Sequence, residues 1–389
     1  MRALQIDRKI GRLGLARMLA SMAPATAAKA GPVELVREDP PELPGPEWVR
    51  LRPRLAGICG SDLATVHGHA GPYFESVVSF PFTLGHEIVA DVVAGPTGIV
   101  GSDHAGARRV VVIPVLHCAI RGIEPVCAAC ATGDINRCER VAFGHVKPGL
   151  QTGFCCETGG GWSDGLVAHP LQLVDVPDDM SDEDAVMIEP TACAVRAARL
   201  HAGGDVAVIG AGTVGLLTLA AIVGRDELGT PPIIAAKYPA QKRFAGRLGA
   251  TVCDPDELAR LVRSRSASLI AGDQLTGGVS QVFDCVGSSA SIAQALQIVA
   301  PGGEVVLVGM PSTVTVDLTG MWHREVRLTG CYAYRREDFD AAVELVRRFE
   351  LGQMVSATYR LDEYDTAIAH ASTAGPRGAV KIAFDMRNP

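Results

Sequence analysis

The chain has 389 residues, a length that two domains usually share. Hydrophobic residues make up 48% of it and charged residues 20%, which excludes wholesale disorder. The net charge is −7 without a block of Lys and Arg, which argues against a nucleic-acid partner. Since no apolar run in the sequence reaches the roughly 18 residues of a membrane span, we also expect no membrane partner and a cytoplasmic location.

The first half of the chain is rich in short β-like runs. Residues 1–6 predict a strand, and the small residues of 12–31 predict a surface excursion between two strands, with a transit peptide as the alternative. Gly and Pro punctuate the later runs. These predicted strands are 48–51, 88–93 and 109–113.

Two short motifs in this half carry side chains suited to zinc. Cys59 lies in the run Gly-Ile-Cys-Gly-Ser-Asp, and His86 lies between a glycine and Glu87. A catalytic zinc needs three protein ligands and an open position. Glu189 is the candidate third ligand, while Glu87 either supports His86 or replaces Glu189 as substrate enters. Alone, Cys59 and His86 would more often be ordinary core residues.

Four cysteines are clustered in the segment 117–139. The chain has 11 cysteines, an odd number that does not favour complete pairing into disulfides. A Cys-x2-Cys pair with two cysteines nearby is typical of a closed structural zinc site, although reduced loop thiols remain the alternative. The predicted ligands are Cys118, Cys127, Cys130 and Cys138.

A glycine-rich turn follows the predicted strand 206–209 and opens a predicted helix. Gly210, Gly212 and Gly215 have the spacing G-x-G-x-x-G. In this motif the first glycine makes the tight turn, the second lets the backbone approach a pyrophosphate, and the third lets helix and strand pack closely. The first helical amides would then be free to bind the phosphates. These amides belong to Thr213 and Val214. A turn without a ligand is the less favoured alternative.

Strands and helices alternate from about residue 192 onwards. Such alternation predicts a parallel sheet with helices on both faces, and hence an α/β fold class. The predicted strands are 206–209, 233–236, 281–286, 304–308 and 380–384, and the predicted helices are 213–223, 241–248, 291–299 and 339–349.

The residue that closes the second predicted strand bears on the choice of dinucleotide. An acid usually lies there and binds the ribose 2′-hydroxyl, but this chain has Ala236. Lys237, Lys242 and Arg243 follow and could pair with a 2′-phosphate. The sequence therefore favours NADP over NAD, with Lys237 as a merely solvated cation being the alternative.

Taken together in chain order, the motifs resemble those of the zinc-containing medium-chain dehydrogenase/reductase family. This family includes alcohol, sorbitol, threonine and glucose dehydrogenases. The resemblance covers nearly the whole chain and extends through the runs 283–287 and 301–309. It implies a GroES-like, β-rich catalytic domain at 1–190 and 330–389, with a Rossmann doubly wound parallel-sheet domain at 191–329. It further implies dinucleotide contacts from Val286 and Val308.

The family also implies a chemistry. Two zincs per chain are expected, one bound by Cys59 and His86 and one in the cysteine lobe. The catalytic zinc would polarise the hydroxyl of a secondary alcohol, polyol or sugar, Ser61 would take the proton, and hydride would pass to the nicotinamide. A homodimer or homotetramer is expected. The alternatives are a zinc-free quinone- or enoyl-type NADPH reductase and a catalytically idle binding protein.

The sequence departs from the family at two further points. The usual relay histidine is replaced by Ala64, and His67 nearby either substitutes for it or is an ordinary histidine. In the structural lobe, family spacing places the first ligand at Glu124. We favour Cys118 instead, because a thiolate suits a structural zinc better than a carboxylate.

Overall fold

The computed structural model describes residues 1–20, 22–96, 108–225, 229–309 and 313–387. The strands are β1 Arg2–Ile6, β2 Val33–Arg37, β3 Val49–Gly57, β4 Phe82–Thr83, β5 Ile88–Ala94, β6 Arg109–Val112, β7 Leu166–Ala168, β8 Leu173–Asp175, β9 Val206–Ile209, β10 Ile233–Ala235, β11 Thr251–Cys253, β12 Ile270–Ala271, β13 Gln274–Leu275, β14 Val279–Asp284, β15 Val299–Leu307, β16 Arg327–Gly330, β17 Val355–Tyr359 and β18 Lys381–Asp385.

The helices are α1 Ile10–Leu19, α2 Pro24–Ala30, α3 Gly60–Val66, α4 Ala128–Ala131, α5 Asp182–Ala185, α6 Ile188–Ala198, α7 Thr213–Val223, α8 Pro239–Arg247, α9 Leu258–Ser266, α10 Ser289–Ile298, α11 Thr319–His323, α12 Asp338–Phe349 and α13 Tyr364–Ser372. Within the described residues, no helix is long and apolar enough to cross a membrane.

The chain forms two compact units. The first consists of Met1–Glu189, Arg335–Ala374 and Lys381–Pro389. The second consists of Pro190–Tyr334 and Gly375–Val380. Both ends of the chain therefore contribute to the first unit.

The first unit is built on antiparallel sheets. A seven-stranded sheet has the order β17-β18-β3-β5-β6-β8, with β7 also paired to β3, and a smaller sheet has the order β2-β1-β4. Every second residue in the first part of β3 is buried, so one face of the strand packs with side chains of β5 and β6. β3 ends at Gly57, and α3 begins three residues later, which positions the first candidate site.

Two helices occupy the N-terminal excursion. β1 pairs antiparallel with β2, with Arg2 opposite Arg37 and Ile6 opposite Val33. Between these strands, α1 and α2 pack on each other, and α2 packs on α13. The excursion predicted from the sequence is therefore largely helical within the described residues.

The second unit contains a parallel sheet of six strands. Their order is β11-β10-β9-β14-β15-β16, and each neighbouring pair is parallel. This is the strand order of a dinucleotide-binding doubly wound sheet. α7 is apolar on nearly all sides and almost wholly buried, as expected of a helix packed inside the unit. The two units confirm the predicted fold class.

Candidate active site and dinucleotide-binding edge

The first candidate site is built around the start of α3. Cys59 is the N-cap residue of this helix, and its amide donates a hydrogen bond of 3.0 Å to Oδ2 of Asp62. A carboxylate at this position also suits the positive end of the helix dipole. Ser61 lies in the first turn and is half-buried, while Ala64 lies one turn further along.

His86 is joined to the same carboxylate. Its Nδ1 lies 3.2 Å from Oδ1 of Asp62, and both side chains are buried. Burial lowers the pKa of His86, but the carboxylate of Asp62 and the thiol of Cys59 outweigh that effect and hold it well above its usual value. With Nδ1 directed at Asp62, Nε2 is the ring nitrogen that could bind a metal. A carboxylate behind a ligating imidazole is the usual arrangement at zinc sites.

Glu87 is engaged in a buried ion pair. Its Oε2 contacts Nζ of Lys381, and the two side chains are 1% and 2% exposed. The ammonium also donates a hydrogen bond of 3.2 Å to the carbonyl of Ile58. A Cβ on Gly57 would lie 1.8 Å from Oε2 of Glu87 and 2.8 Å from Cε of Lys381, so the pair requires glycine there.

Lys381 is a buried cation whose pKa depends on several acidic groups. Burial lowers its pKa, but Glu87 and Cys59, and more weakly Glu189, raise the pKa above its ordinary value. Glu189 itself is buried in the first turn of α6. The thiol of Cys59 and both candidate carboxylates therefore contribute to the electrostatic surroundings of Lys381.

The three predicted catalytic ligands are less closely grouped than the four cysteines of the lobe. Among the described residues, the four lobe cysteines form the one group of three or more candidate ligands whose ligand atoms all lie within 4.8 Å. Cys59, His86 and Glu189 do not form such a group. The sequence analysis assigned no role to Asp62 or Lys381. A lysine within the otherwise apolar start of β18 was the signal that could have identified the second.

His67 has a partner in a neighbouring helix. It follows α3, and its Nε2 lies 2.9 Å from Oγ of Ser372 at the end of α13. Burial lowers the pKa of His67. The contact gives this histidine a role in packing α3 against α13, which is the ordinary role that the sequence left open.

The cysteine lobe brings four sulfur atoms together. The Sγ atoms of Cys118 and Cys138 are 3.6 Å apart, and all four sulfurs lie within 4.8 Å of one another. Amide groups donate to three of the sulfurs: Cys127 to Cys118, Glu139 to Cys127, and Arg140 to Cys138. Such bonds favour thiolates, and four thiolates fit a closed tetrahedral zinc site. Glu124 is not in the group.

A buried arginine supports this lobe. The guanidinium of Arg121 is fully buried and donates to five backbone carbonyls. The acceptors are the carbonyls of Leu116, Phe143, Val146, Lys147 and Gly149. The loops on either side of the cysteine cluster are therefore held by one side chain that the sequence analysis did not single out.

The glycine-rich turn of the second unit has the geometry of a phosphate-binding loop. Gly210 has φ +90°, a conformation that strongly favours glycine. A Cβ on Gly215 would lie 1.7 Å from the carbonyl oxygen of Gly210, so α7 can approach β9 closely. A Cβ on Gly212 would meet nothing within 4 Å, which leaves this backbone open to a ligand. Oγ1 of Thr213 donates to the carbonyl of Val380.

The other predicted cofactor residues lie at the same edge of the sheet. Asp284 is aligned with the last residues of both β9 and β15, so Val286 and Val308 follow neighbouring strand ends. A Cβ on Gly210 would lie 2.4 Å from Cγ2 of Val286, and that valine is about half exposed. Val214 opens α7 beside them.

The predicted 2′-phosphate residues differ in their surroundings. Ala236 follows β10 and is buried, whereas Lys237 is exposed and its ammonium lies 5.6 Å from the ring centroid of Tyr238. Lys242 is already paired, since its ammonium lies 2.8 Å from both carboxylate oxygens of Asp254. The sequence analysis missed this acid, because it comes after the third strand rather than the second.

Comparison with known proteins assigns each unit to a known family. Residues 45–178 match the model described as "Alcohol dehydrogenase GroES-like domain", and residues 214–348 match "Zinc-binding dehydrogenase". A protein of Rhizobium meliloti assigned as a D-xylulose reductase is 32% identical, over 88% of this chain and 92% of that protein. L-idonate 5-dehydrogenase of Vitis vinifera is 28% identical, over 88% and 89%.

A solved structure extends the likeness to three dimensions. The zinc-binding dehydrogenase of Sinorhizobium meliloti 1021, bound to NADP, is 25% identical, covers 91% of this chain and 96% of its own, and has a TM-score of 0.71. These matches confirm the resemblance predicted from the motifs. The chain belongs to the zinc-containing medium-chain dehydrogenase/reductase family, whose members are NAD(P)-dependent alcohol dehydrogenases.

Proposed function

We propose that this protein is a zinc-dependent dehydrogenase that interconverts a secondary alcohol of a polyol or sugar with the corresponding ketone, using NADP in preference to NAD. The first unit would carry the catalytic residues, and the second would bind the dinucleotide. Relatives named for L-idonate, D-xylulose and (R,R)-butanediol support this substrate class, since each of these substrates or products has hydroxyls on neighbouring carbons.

The observation that carries the proposal is the link that Asp62 makes between Cys59 and His86. One carboxylate oxygen accepts from the amide of Cys59, and the other lies beside Nδ1 of His86. The arrangement ties the backbone of Cys59 and the ring of His86 to one carboxylate, and the two residues carry a thiol and an imidazole, which are two preferred zinc ligands. Glu189 would be the third ligand, because Glu87 is engaged with Lys381.

The bound zinc would supply Lewis acidity to the substrate oxygen. Ser61, in the first turn of α3, would relay the hydroxyl proton, accepting it while passing its own proton on towards solvent. Asp62 would keep the imidazole of His86 in one tautomer and one orientation. The ion pair with Lys381 would hold the carboxylate of Glu87 away from the metal until substrate binds.

Features of both units support the proposals on cofactors and location. The open backbone at Gly212 fits a pyrophosphate, and the methyl of Ala236 with the exposed cation of Lys237 favours a 2′-phosphate. A structural relative was crystallised with NADP. The tetrathiolate cluster favours a second zinc, and free cysteines favour the cytoplasm. We expect a homodimer or homotetramer.

A substrate screen tests the proposal. The purified protein is assayed with each dinucleotide against a panel of primary alcohols, secondary alcohols, vicinal diols, pentitols and hexitols. We expect oxidation of a vicinal diol or polyol, a lower KM for NADP than for NAD, and a smaller difference in Lys237→Ala. Turnover of primary alcohols alone would contradict the substrate class, and equal affinities for the two dinucleotides would contradict the cofactor preference.

A further inference from the structure

Three parallel strands of the second unit end side by side. β9 is in register with β10, and β10 with β11, so that Gly210, Ala236 and Asp254 each follow a strand at the same level. The amide of Ala236 donates a hydrogen bond of 2.9 Å to the carbonyl of Cys253, which joins the last two strand ends. The carboxylate of Asp254 therefore belongs to the strand end next to the one where an acid is expected.

Asp254 holds a cation from α8. Nζ of Lys242 lies 2.8 Å from both carboxylate oxygens, and the two side chains are 38% and 45% exposed. The pair thus connects α8 with the turn after β11 while remaining accessible to a ligand. The two groups exert opposite effects on an approaching anion.

The charges at this edge separate the two dinucleotides. NADPH and NADH differ by a phosphate on the 2′-oxygen of the adenosine ribose, and the usual acid after the second strand disfavours that phosphate. At this edge Ala236 supplies no charge, whereas Asp254 supplies a negative charge and Lys242 a positive one. Besides the exposed cation of Lys237, the preference between the dinucleotides then depends on how strongly Asp254 retains the ammonium of Lys242.

The geometry points to Lys242 and Asp254 as residues that determine dinucleotide specificity: Lys242 binds the 2′-phosphate, and Asp254 limits the preference for NADP by competing for the same ammonium. The inference rests on the proposed function, since it requires a dinucleotide bound at this edge. The inference goes beyond the proposed function because it adds a carboxylate that follows the third strand. Substitution of Asp254 or of Lys242 would change the preference for NADP in opposite directions.

Fluorescence titration of the purified protein with NADPH and with NADH tests this inference. The measured quantity is the ratio of the two dissociation constants, Kd for NADH over Kd for NADPH. We expect Asp254→Asn to raise this ratio and Lys242→Met to lower it. Because both charges are partly exposed, each change should be about two- to fivefold. Lys242→Arg, which keeps the charge, should retain most of the wild-type ratio.

Asp256→Asn provides the matched control. This exposed acid lies on the turn that follows Asp254, so the substitution makes the same charge change nearby and should leave the ratio unchanged. Equal ratios in the wild type, Asp254→Asn and Lys242→Met would overturn the inference, as would a loss of affinity for both dinucleotides by the same factor. Failure of the wild-type protein to bind either dinucleotide would overturn the proposed function, and the inference with it.

Discussion

Oδ1 of Asp62 lies 3.2 Å from Nδ1 of His86, and both side chains are buried. The other oxygen of the same carboxylate accepts the amide hydrogen of Cys59. One side chain, three residues after Cys59, thus contacts two candidate zinc-binding residues that come from different parts of the chain.

Asp62→Asn is expected to weaken zinc binding at the first site by about 10- to 100-fold, because the neutral amide no longer fixes and polarises the imidazole of His86. Competition with a chromogenic chelator measures this affinity. Asp178→Asn, which removes an exposed carboxylate from the same unit, is the control. Unchanged zinc affinity in Asp62→Asn would mean that the carboxylate merely caps α3.

The ion pair of Glu87 and Lys381 is expected to be important for stability. Lys381→Met leaves a buried carboxylate without its partner and should lower the free energy of unfolding by about 3–5 kcal/mol. Urea unfolding measures this change. The double substitution with Glu87→Gln should cost less than the sum of the two single substitutions, since the partners interact.

Lys147→Met is the matched control for that ion pair. Lys147 lies 3.8 Å from Glu157 in an exposed pair, which should contribute less than about 1 kcal/mol. Strict additivity of the Glu87 and Lys381 substitutions would contradict the proposed interaction between the two side chains.

Cys118, rather than Glu124, is expected to complete the metal site of the lobe. Its sulfur belongs to the group of four, and Glu124 does not. Cys118→Ser should lower the zinc content from two atoms per chain to one and reduce thermal stability, whereas Glu124→Gln should leave both unchanged. Elemental analysis of the purified variants measures the zinc. Loss of zinc from Glu124→Gln would reverse this assignment.

Arg121→Met is expected to destabilise the first unit by about 3 kcal/mol or more, because several buried carbonyls lose their donor at once. Chemical denaturation measures the effect. Arg140→Met provides the comparison. The side chain of this half-buried arginine makes an exposed hydrogen bond to a single carbonyl, that of Pro125, and its loss should cost less than about 1 kcal/mol. Equal effects of the two substitutions would contradict a central role for Arg121.

Local patterns predicted much of the second unit. β9 and α7 have the predicted bounds, because a short apolar strand, a glycine turn and a long apolar helix are encoded by neighbouring residues. α8 begins at Pro239, two residues before the predicted start, since proline is well suited to the first turn of a helix. The excursion after β1 lacked a clear helical stripe, and its helices α1 and α2 were not predicted.

Contacts between distant parts of the chain could not be predicted in the same way. Glu87 was assigned to zinc because it follows His86, but its partner Lys381 comes from the last strand of the chain, and β18 reaches it only through pairing with β3. The pairing of Lys242 with Asp254 was not predicted, because the sequence does not reveal the register that sets Asp254 beside Ala236. Side-chain pairing of this kind depends on tertiary structure.

Zinc content, measured together with turnover in Cys59→Ser and His86→Ala, tests the central claim most directly. Each variant should contain one zinc per chain instead of two, lose turnover, and still bind the dinucleotide, because the cysteine lobe and the second unit are untouched. Cys156→Ser, which removes a half-buried thiol outside both clusters, should behave like the wild type. Near-normal turnover in either Cys59→Ser or His86→Ala would contradict the zinc chemistry proposed for this site.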